Sequence, residues 1–392
     1  MIRSLLQYSR YFALGLVDRN VRELILAHRR TARPEGKILD RSAALHAIAD
    51  HFCRAQDHGS DDGLGSFHLI DGWSASYPET TGYIVPTLIA MAEHLHRPDL
   101  VDRAVRAADW LLSIQMKEGG WQGGRVDEQR PPIVFNTAQV VRGMMAAHDR
   151  THDIKFLNAA IRACDWIVSV QEKDGSWARR NFLGASRVYD SYVSAPLLHM
   201  HSRTGDPKYR EAAKRNLDLI VSKQYTNGWF PDADNTIKHN DRPITHTIAY
   251  TIDGLLESHT FLQDERYLKA ARSAAGRLQR TFLKEGTLHG RYDQRWKGSE
   301  FPITTGNAQL AIVWARLFAI TGQPQWKEGV DRMTAWLMAV QQLSIAGPPD
   351  AHGAISGSFP LWGRYEKFAF PNWAQKYFAD ALLCAEGITP RY

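Results

Sequence analysis

The chain has 392 residues, of which 44% are hydrophobic and 23% charged, with a formal net charge of +6. That is the balance of a soluble globular protein, and no stretch approaches the roughly 20 apolar residues of a membrane helix, so stable membrane insertion is not expected. Cys53, Cys164 and Cys384 are too widely spaced for a disulfide framework or a metal cluster, and the positive charges are scattered rather than gathered in a run, which disfavours nucleic acid and leaves an anionic sugar as the better partner.

The first 20 residues, MIRSLLQYSRYFALGLVDRN, read as a leading amphipathic helix without the sustained apolar run and small-residue cleavage site of a secretory signal, so the cytoplasm is the expected compartment. This N-terminal helical extension is expected over 1–36, ending in the polar ARPEGK, with one domain over 37–392. From there one phrase recurs at the ends of helices: RPDL at Leu100, THDIKF at Phe156, TGDPKY at Tyr209, LQDERY at Tyr267 and TGQPQW at Trp326, about 53 to 59 residues apart. Each phrase opens an amphipathic helix such as VDRAVRAADWLLSIQ or REAAKRNLDLIVSKQ, apolar at i, i+3, i+4 and i+7. A glycine turn follows (KEGGWQGG, KDGSWARR, TNGWFPDA), in which G-S-W and G-W-F read as short strand-like segments.

A second, more uniformly apolar helix comes next in each repeat, among them PTLIAMAEHL, AYTIDGLLESH and AQLAIVWARLF; there are six. Helices apolar all round belong inside, and hairpins that cannot bury their own faces must stack, so six of them closing on themselves predict an all-α (α/α)6 barrel, a toroid of six helical-hairpin repeats. Its open end is where the inner helices begin, with free N–H groups and dipoles pointing into a funnel.

The six inner-helix starts mix aromatic, hydroxyl, amide and acid groups. Helix capping accounts for any one of them, but together they point to a carbohydrate site, because aromatic faces stack on sugar rings and amides bond hydroxyls. Trp73, Tyr77, Asn136, Arg187, Tyr189, Tyr192, Arg242, Asn307 and Trp373 are the expected substrate-binding residues. Glycosyl hydrolysis needs two carboxyl groups across a sugar, one protonated and one ionised; Glu79 and Asp190 stand two repeats apart on this rim, with Glu300, Asp232, Asp234 and Asp241 in reserve. A lyase or C5-epimerase would instead use an acid/base pair of the kind His246 and Tyr250 form at i, i+4. A non-catalytic glycan-binding toroid would keep the aromatics without opposed acids. No histidine grouping suits a metal, no phosphate or dinucleotide loop is present, and no cofactor is expected. His199 and His201, near the end of an inner helix, read as packing or surface.

Three resemblances attach to these segments. RAADWLLSIQMKEGGW (106–121) and RACDWIVSVQEKDGSW (162–177) resemble the Gln-Trp repeats of squalene and terpene cyclases, in which Gln and Trp tie outer helices to loops; the acidic D-x-D-D motif of those cyclases is missing. SRVYDSYVSAPLLHMHSRTGDPKYREAA (186–213) resembles the unsaturated glucuronyl and rhamnogalacturonyl hydrolases, which implies Asp190 as proton donor; where their partner aspartate is expected, Glu79 or Asn136 stands. YPETTGYIVPTL and TGNAQLAIVWARL resemble toroid proteins of bacterial exopolysaccharide biosynthesis clusters. These resemblances imply a glycan-processing enzyme, with glycoside hydrolysis of a uronate-containing oligo- or polysaccharide by Asp190 as acid and Glu79 as partner.

Overall fold

The computed structural model describes residues 2–30, 40–344 and 347–391. Helices α1 (Ile2–Val17) and α2 (Arg19–Arg30) come first; the expected boundary at ARPEGK lies outside the described residues. Twelve helices then alternate between two rings. The outer ones are α3 (Arg41–Asp57), α5 (Asp99–Ser113), α7 (Ile154–Ser169), α9 (Pro207–Ser222), α11 (Glu265–Glu285) and α13 (Pro324–Val340). The inner ones are α4 (Pro78–Leu95), α6 (Val134–Thr151), α8 (Ser191–Thr204), α10 (Thr245–Leu262), α12 (Thr304–Thr321) and α14 (Asn372–Ala385). Each inner helix packs on its two inner neighbours, and α14 returns to α4, so the barrel is closed.

The periodicities assign the rings correctly for a physical reason. Helix α5 buries Leu100, Ala104, Ala107, Ala108 and Leu111, one stripe only, whereas α10 is buried from Thr245 to His259 without a break. The recurrent phrase is the joint between repeats. Asp153, Asp206 and Asp264 each cap an outer helix by accepting from the N–H two residues on, at 3.0 Å. The cation at that second position reaches back to the preceding outer helix: Lys155 to Asp109 (2.8 Å), Lys208 to Asp165 (2.8 Å) and Arg266 to Asp218 (2.9 Å). His148, His201 and His259, ending inner helices, meet the carbonyls of the same three aspartates through Nδ1 at 2.9 to 3.2 Å.

A second repeated device joins the outer helices sideways. The amides of Gln56, Gln115, Gln171, Gln224, Gln279 and Gln341 each donate to a carbonyl of the next outer helix: Arg103, Ala159, Ala212, Ala270, Gln325 and Ala44, at 2.8 to 3.1 Å. All but Gln279 also hold a carbonyl in the loop that follows their own helix, those of Asp62, Gly119, Gly175, Gly228 and Gly353. The last bond, Gln341 to Ala44, runs from α13 to α3 and closes the outer ring.

Trp121 and Trp177 complete the motif, fully buried and donating Nε1–H to Leu111 O (2.7 Å) and Ile167 O (2.9 Å). The G-S-W and G-W-F turns are therefore not strands: their tryptophans turn inward, Trp177 to cap a carbonyl at the end of α7 and Trp229 to reach the Tyr292 carbonyl of the next repeat. Gly175 shows why the turn needs glycine. Its φ is +90°, and an added Cβ would sit 2.7 Å from Arg215 O.

The strands present are two-residue pieces on the rim. β1 (Phe67–His68) pairs antiparallel with β2 (Gly72–Trp73) and with β5 (Ala369–Phe370), while β3 (Arg291–Tyr292) pairs with β4 (Gly298–Ser299). Inside the barrel, towards its narrow end, three ion pairs lie together, all buried but for a partly exposed Arg316: Arg142–Glu257 (2.9 Å), Arg316–Asp253 (2.8 Å) and Lys376–Asp380 (2.7 Å). The cavity among them is only about 20 Å³, so the barrel is plugged below its funnel.

Replacing Gln341 by Leu keeps the volume and leaves the Ala44 and Gly353 carbonyls without their donor. Urea unfolding is expected to show a loss of about 2 kcal/mol; an unchanged midpoint would mean that ring closure does not depend on this amide.

Candidate active site

The open end of the barrel is a funnel of about 1000 Å³. Glu79 stands at its floor, in the first turn of α4, where Pro78 takes the position whose N–H has no helical partner. Its Oε2 accepts from Asn136 Nδ2 at 2.7 Å, and the same amide reaches Tyr77 Oη at 3.2 Å. Burial pushes the Glu79 carboxyl up to about 7, and the Tyr77 hydroxyl pulls it back only in part.

Across the floor, α10 contributes His246 and Tyr250, their rings 4.6 Å apart. Burial lowers His246 to about 4, so it is neutral. Its Nδ1 lies 2.6 Å from Gln309 Oε1. An amide oxygen only accepts, so Nδ1 carries the hydrogen and Nε2 keeps its lone pair. The Tyr250 hydroxyl accepts from Tyr377 at 3.1 Å and lies close enough to Glu79 to feel its charge. Trp373 meets Tyr77 edge-on at 6.3 Å, Tyr189 meets Phe135 edge-on at 5.1 Å, and Trp73 stands on the wall beside Phe67. The funnel thus brings together Glu79, His246, Tyr250, Tyr77, Trp73, Asn136, Tyr189 and Trp373.

Five other expected residues stand elsewhere. Asp190 is fully buried and forms no part of the funnel surface; Asn181, which does, donates to its Oδ2 at 2.6 Å and separates it from the funnel. Nor does its side chain cap α8, although it directly precedes that helix: the short 3₁₀ turn Val188–Asp190 holds it in helical rather than extended backbone. Burial pushes Asp190 up to about 7 against the pull of Asn181 and Arg187. Arg187 is itself buried in that wall. Tyr192, the second residue of α8, faces down the barrel, where its ring lies 4.1 Å from the Arg142 guanidinium. Asn307 is fully buried and forms no part of the funnel surface, next to Gly306, where α12 packs against the start of α10. Arg242 lies in a loop outside the funnel, 3.9 Å from Asp241.

The reserve acids Asp232, Asp234 and Glu300 hold loops: Asp234, fully buried, accepts from Thr236, Ile244 and Arg291, while Glu300 pairs with Arg291 and Arg364 and Asp232 with Lys223. Sequence reading missed Asn181 and the last rim loop, whose Tyr365 and Glu366 line the funnel. That loop has no repeat counterpart, and its only signal is an aromatic-acid pair shortly after Gly363. Among the described residues no group of three or more His, Cys, Asp or Glu side chains is placed to hold a metal ion, and no helix is long and apolar enough to cross a membrane.

The family model of the β-L-arabinofuranosidase GH127 catalytic domain matches residues 78–283, more than half of the chain. An unsaturated glucuronyl hydrolase specific for heparin has the same fold, with a TM-score of 0.71 and 14% identity over 90% of this chain and 99% of that one. A polysaccharide lyase superposes with a TM-score of 0.64 and 12% identity, over 88% and 96%. In sequence, a squalene–hopene cyclase of Bradyrhizobium diazoefficiens is 31% identical over 94 residues, 21% of this chain and 14% of the cyclase. The chain spans less than a third of the length of the curated relatives it matches, and these likenesses agree with the Gln and Trp architecture.

Glu79 and Asp190 both have raised acid ranges in the folded protein, so their share of stability is present below about pH 4 and is lost as pH rises through 7. The Asp190→Asn protein is expected to lose less stability between pH 5 and pH 8 than the wild type, by on the order of 3 kcal/mol, in denaturant titrations at the two values. An identical loss in both proteins would show that Asp190 is already ionised at pH 5.

Proposed function

Because the chain belongs to the family of the β-L-arabinofuranosidase GH127 catalytic domain, we propose that it hydrolyses a glycosidic bond of an oligo- or polysaccharide in the funnel, with Glu79 as the proton donor. The observation that carries this is the placement of Glu79: a carboxyl at the floor, shielded enough to hold its proton near neutral pH and fixed by Asn136. Trp73, Tyr77, Tyr189 and Trp373 offer faces and edges to sugar rings around it. As the bond between the anomeric carbon and the leaving oxygen breaks, Glu79 gives its proton to that oxygen, and water completes the product at the anomeric carbon. Asp190 acts through Asn181, holding the wall rather than meeting the sugar. The Arg and Lys side chains that line the funnel, Arg125, Arg130, Arg364 and Lys367, are all exposed or half-buried, with Arg125 and Arg130 flanking Glu128. This supports a glycan whose acidic groups, uronates among them, stay near the opening while the ring that reacts reaches the floor.

One observation favours a second reading. His246 is neutral with Nε2 unprotonated, beside the Tyr250 hydroxyl, which is the equipment to take a proton from a sugar carbon in a lyase or epimerase reaction.

Incubation with a panel of neutral and uronate-containing oligosaccharides separates the two by mass spectrometry and ultraviolet absorbance. Hydrolysis adds water without a new chromophore, and Glu79→Gln is expected to lower kcat by roughly 10³ with little change in KM. An aryl glycoside with a good leaving group, which needs no proton, should regain much of that loss. A rise in absorbance that survives Glu79→Gln and vanishes in His246→Ala would move the reaction to the lyase class.

A further inference from the structure

The proposed reaction needs a second, ionised carboxyl, and with Asp190 closed off behind Asn181 the structure offers it from the last repeat. From the geometry of the rim loop we infer that Glu366 is the carboxylate that faces Glu79 across the bound sugar and takes the proton of the attacking water. This rests on the reading of Glu79 as acid.

Three observations carry it. Glu366 lines the same funnel, its side chain open to the funnel's water yet surrounded by protein. Tyr365, next to it, lies within the influence of both Glu366 and Glu79, and its hydroxyl is fixed by Trp373 Nε1 at 2.9 Å. The two acids come from α4 and from the loop before α14, neighbours at the point where the barrel closes. The charges divide the roles. Loss of water raises both carboxyls, but Glu366 keeps an exposed side chain and has the Arg125 charge working against the rise, whereas Glu79 is buried and has only a tyrosine hydroxyl in favour of ionisation.

The loop is built to hold this position. Glu366 and Phe368 adopt left-handed backbone, φ 45° and 58°, which non-glycine residues accept only where surroundings impose it. Gly357 passes so close that an added Cβ would lie 2.5 Å from Glu366 Cβ, and Ser358 Oγ donates to Tyr365 O at 2.7 Å. From outside, α1 and α2 brace the same loop. Tyr11 stacks on Phe368 at 4.1 Å, Tyr8 donates to Trp362 O at 3.0 Å, and Leu361 N–H donates to His28 Nδ1 at 3.0 Å.

In the step, the water oxygen bonds to the anomeric carbon as its proton passes to Glu366. The carbon–oxygen bond to the leaving group breaks, its electron pair staying on that oxygen, which takes the Glu79 proton. Solvent then removes the proton from Glu366 and returns one to Glu79.

The test uses the full chain with Glu366→Ala, Glu366→Gln and Glu79→Gln on an aryl glycoside that the wild type turns over, each variant first shown to melt as a folded protein. Both Glu366 variants are expected to lose roughly 10³ in kcat, and sodium azide should restore turnover to Glu366→Ala alone, with glycosyl azide as product. If the Glu366 variants stay within tenfold of wild type while Glu79→Gln loses activity on natural glycans, Glu366 is not the partner and the reading of Glu79 stands. If Glu79→Gln is as active as wild type on those glycans, that reading falls and this inference with it.

Discussion

Six side-chain amides hold this toroid in a circle. A barrel of hairpins has no sheet to set its curvature, and each outer helix touches its neighbours along a narrow stripe that would tolerate sliding. The glutamine bonds remove that freedom, because each fixes the level of one outer helix against a particular carbonyl of the next. Five of the six hold their own loop in the same grip, so the rise of each repeat and the shape of its turn are set together. Repeat by repeat the circle is drawn in, and after six of them Gln341 finds Ala44. Ion pairs such as Lys155–Asp109 add to the register from the surface, where their individual weight is small.

With the rings fixed, the rim becomes the place where sequence can vary. Inner-helix starts and the loops before them carry no stacking duty beyond their first turn, so acids, amides and aromatics can accumulate there. The cost is that polar groups end up buried at the seams. Some are satisfied by neighbours, as Asp234 is by Thr236, Ile244 and Arg291. Others sit in the funnel floor, where the surroundings shift their proton affinity instead: Glu79 upward and His246 downward, both from loss of water. The plug of three ion pairs beneath keeps the barrel from becoming a pore, so what enters the funnel leaves by the same mouth.

How much of this could be read from the sequence follows from which features repeat. The rings, the six inner helices and their starts were legible because apolar period and the D-x-K/R-aromatic phrase recur, and recurrence marks them as joints. Glu79, His246 and Tyr250 were legible because they occupy positions just inside a helix whose start was known. Asp190 has the same sequence position, and its neighbour Tyr189 does reach the funnel; what differs is a 3₁₀ turn and the presence of Asn181, a contact nine residues away in a loop without pattern. Tyr192 and Asn307 lie within the first turn or so of their helices, where a rotation of 100° per residue decides between funnel, seam and lower cavity. Glu366 was illegible for the opposite reason: it belongs to no repeat, and its place is set by contacts with Gly357 and with the two leading helices.

Those leading helices tie the segment before the barrel to its last rim loop. Tyr8, Tyr11 and His28 precede the whole barrel in the chain, yet the segment they grip, 359–370, follows its sixth outer helix and is made long after them. The same is true of α3, whose Ala44 carbonyl waits for Gln341. Through most of translation, therefore, the nascent protein is an open arc with exposed apolar seams at both ends and an unfinished funnel. The final repeat works as a latch that closes the circle, covers both seams and delivers the rim loop in one event, so a chain cut short before it would carry most of the helices and none of the finished site.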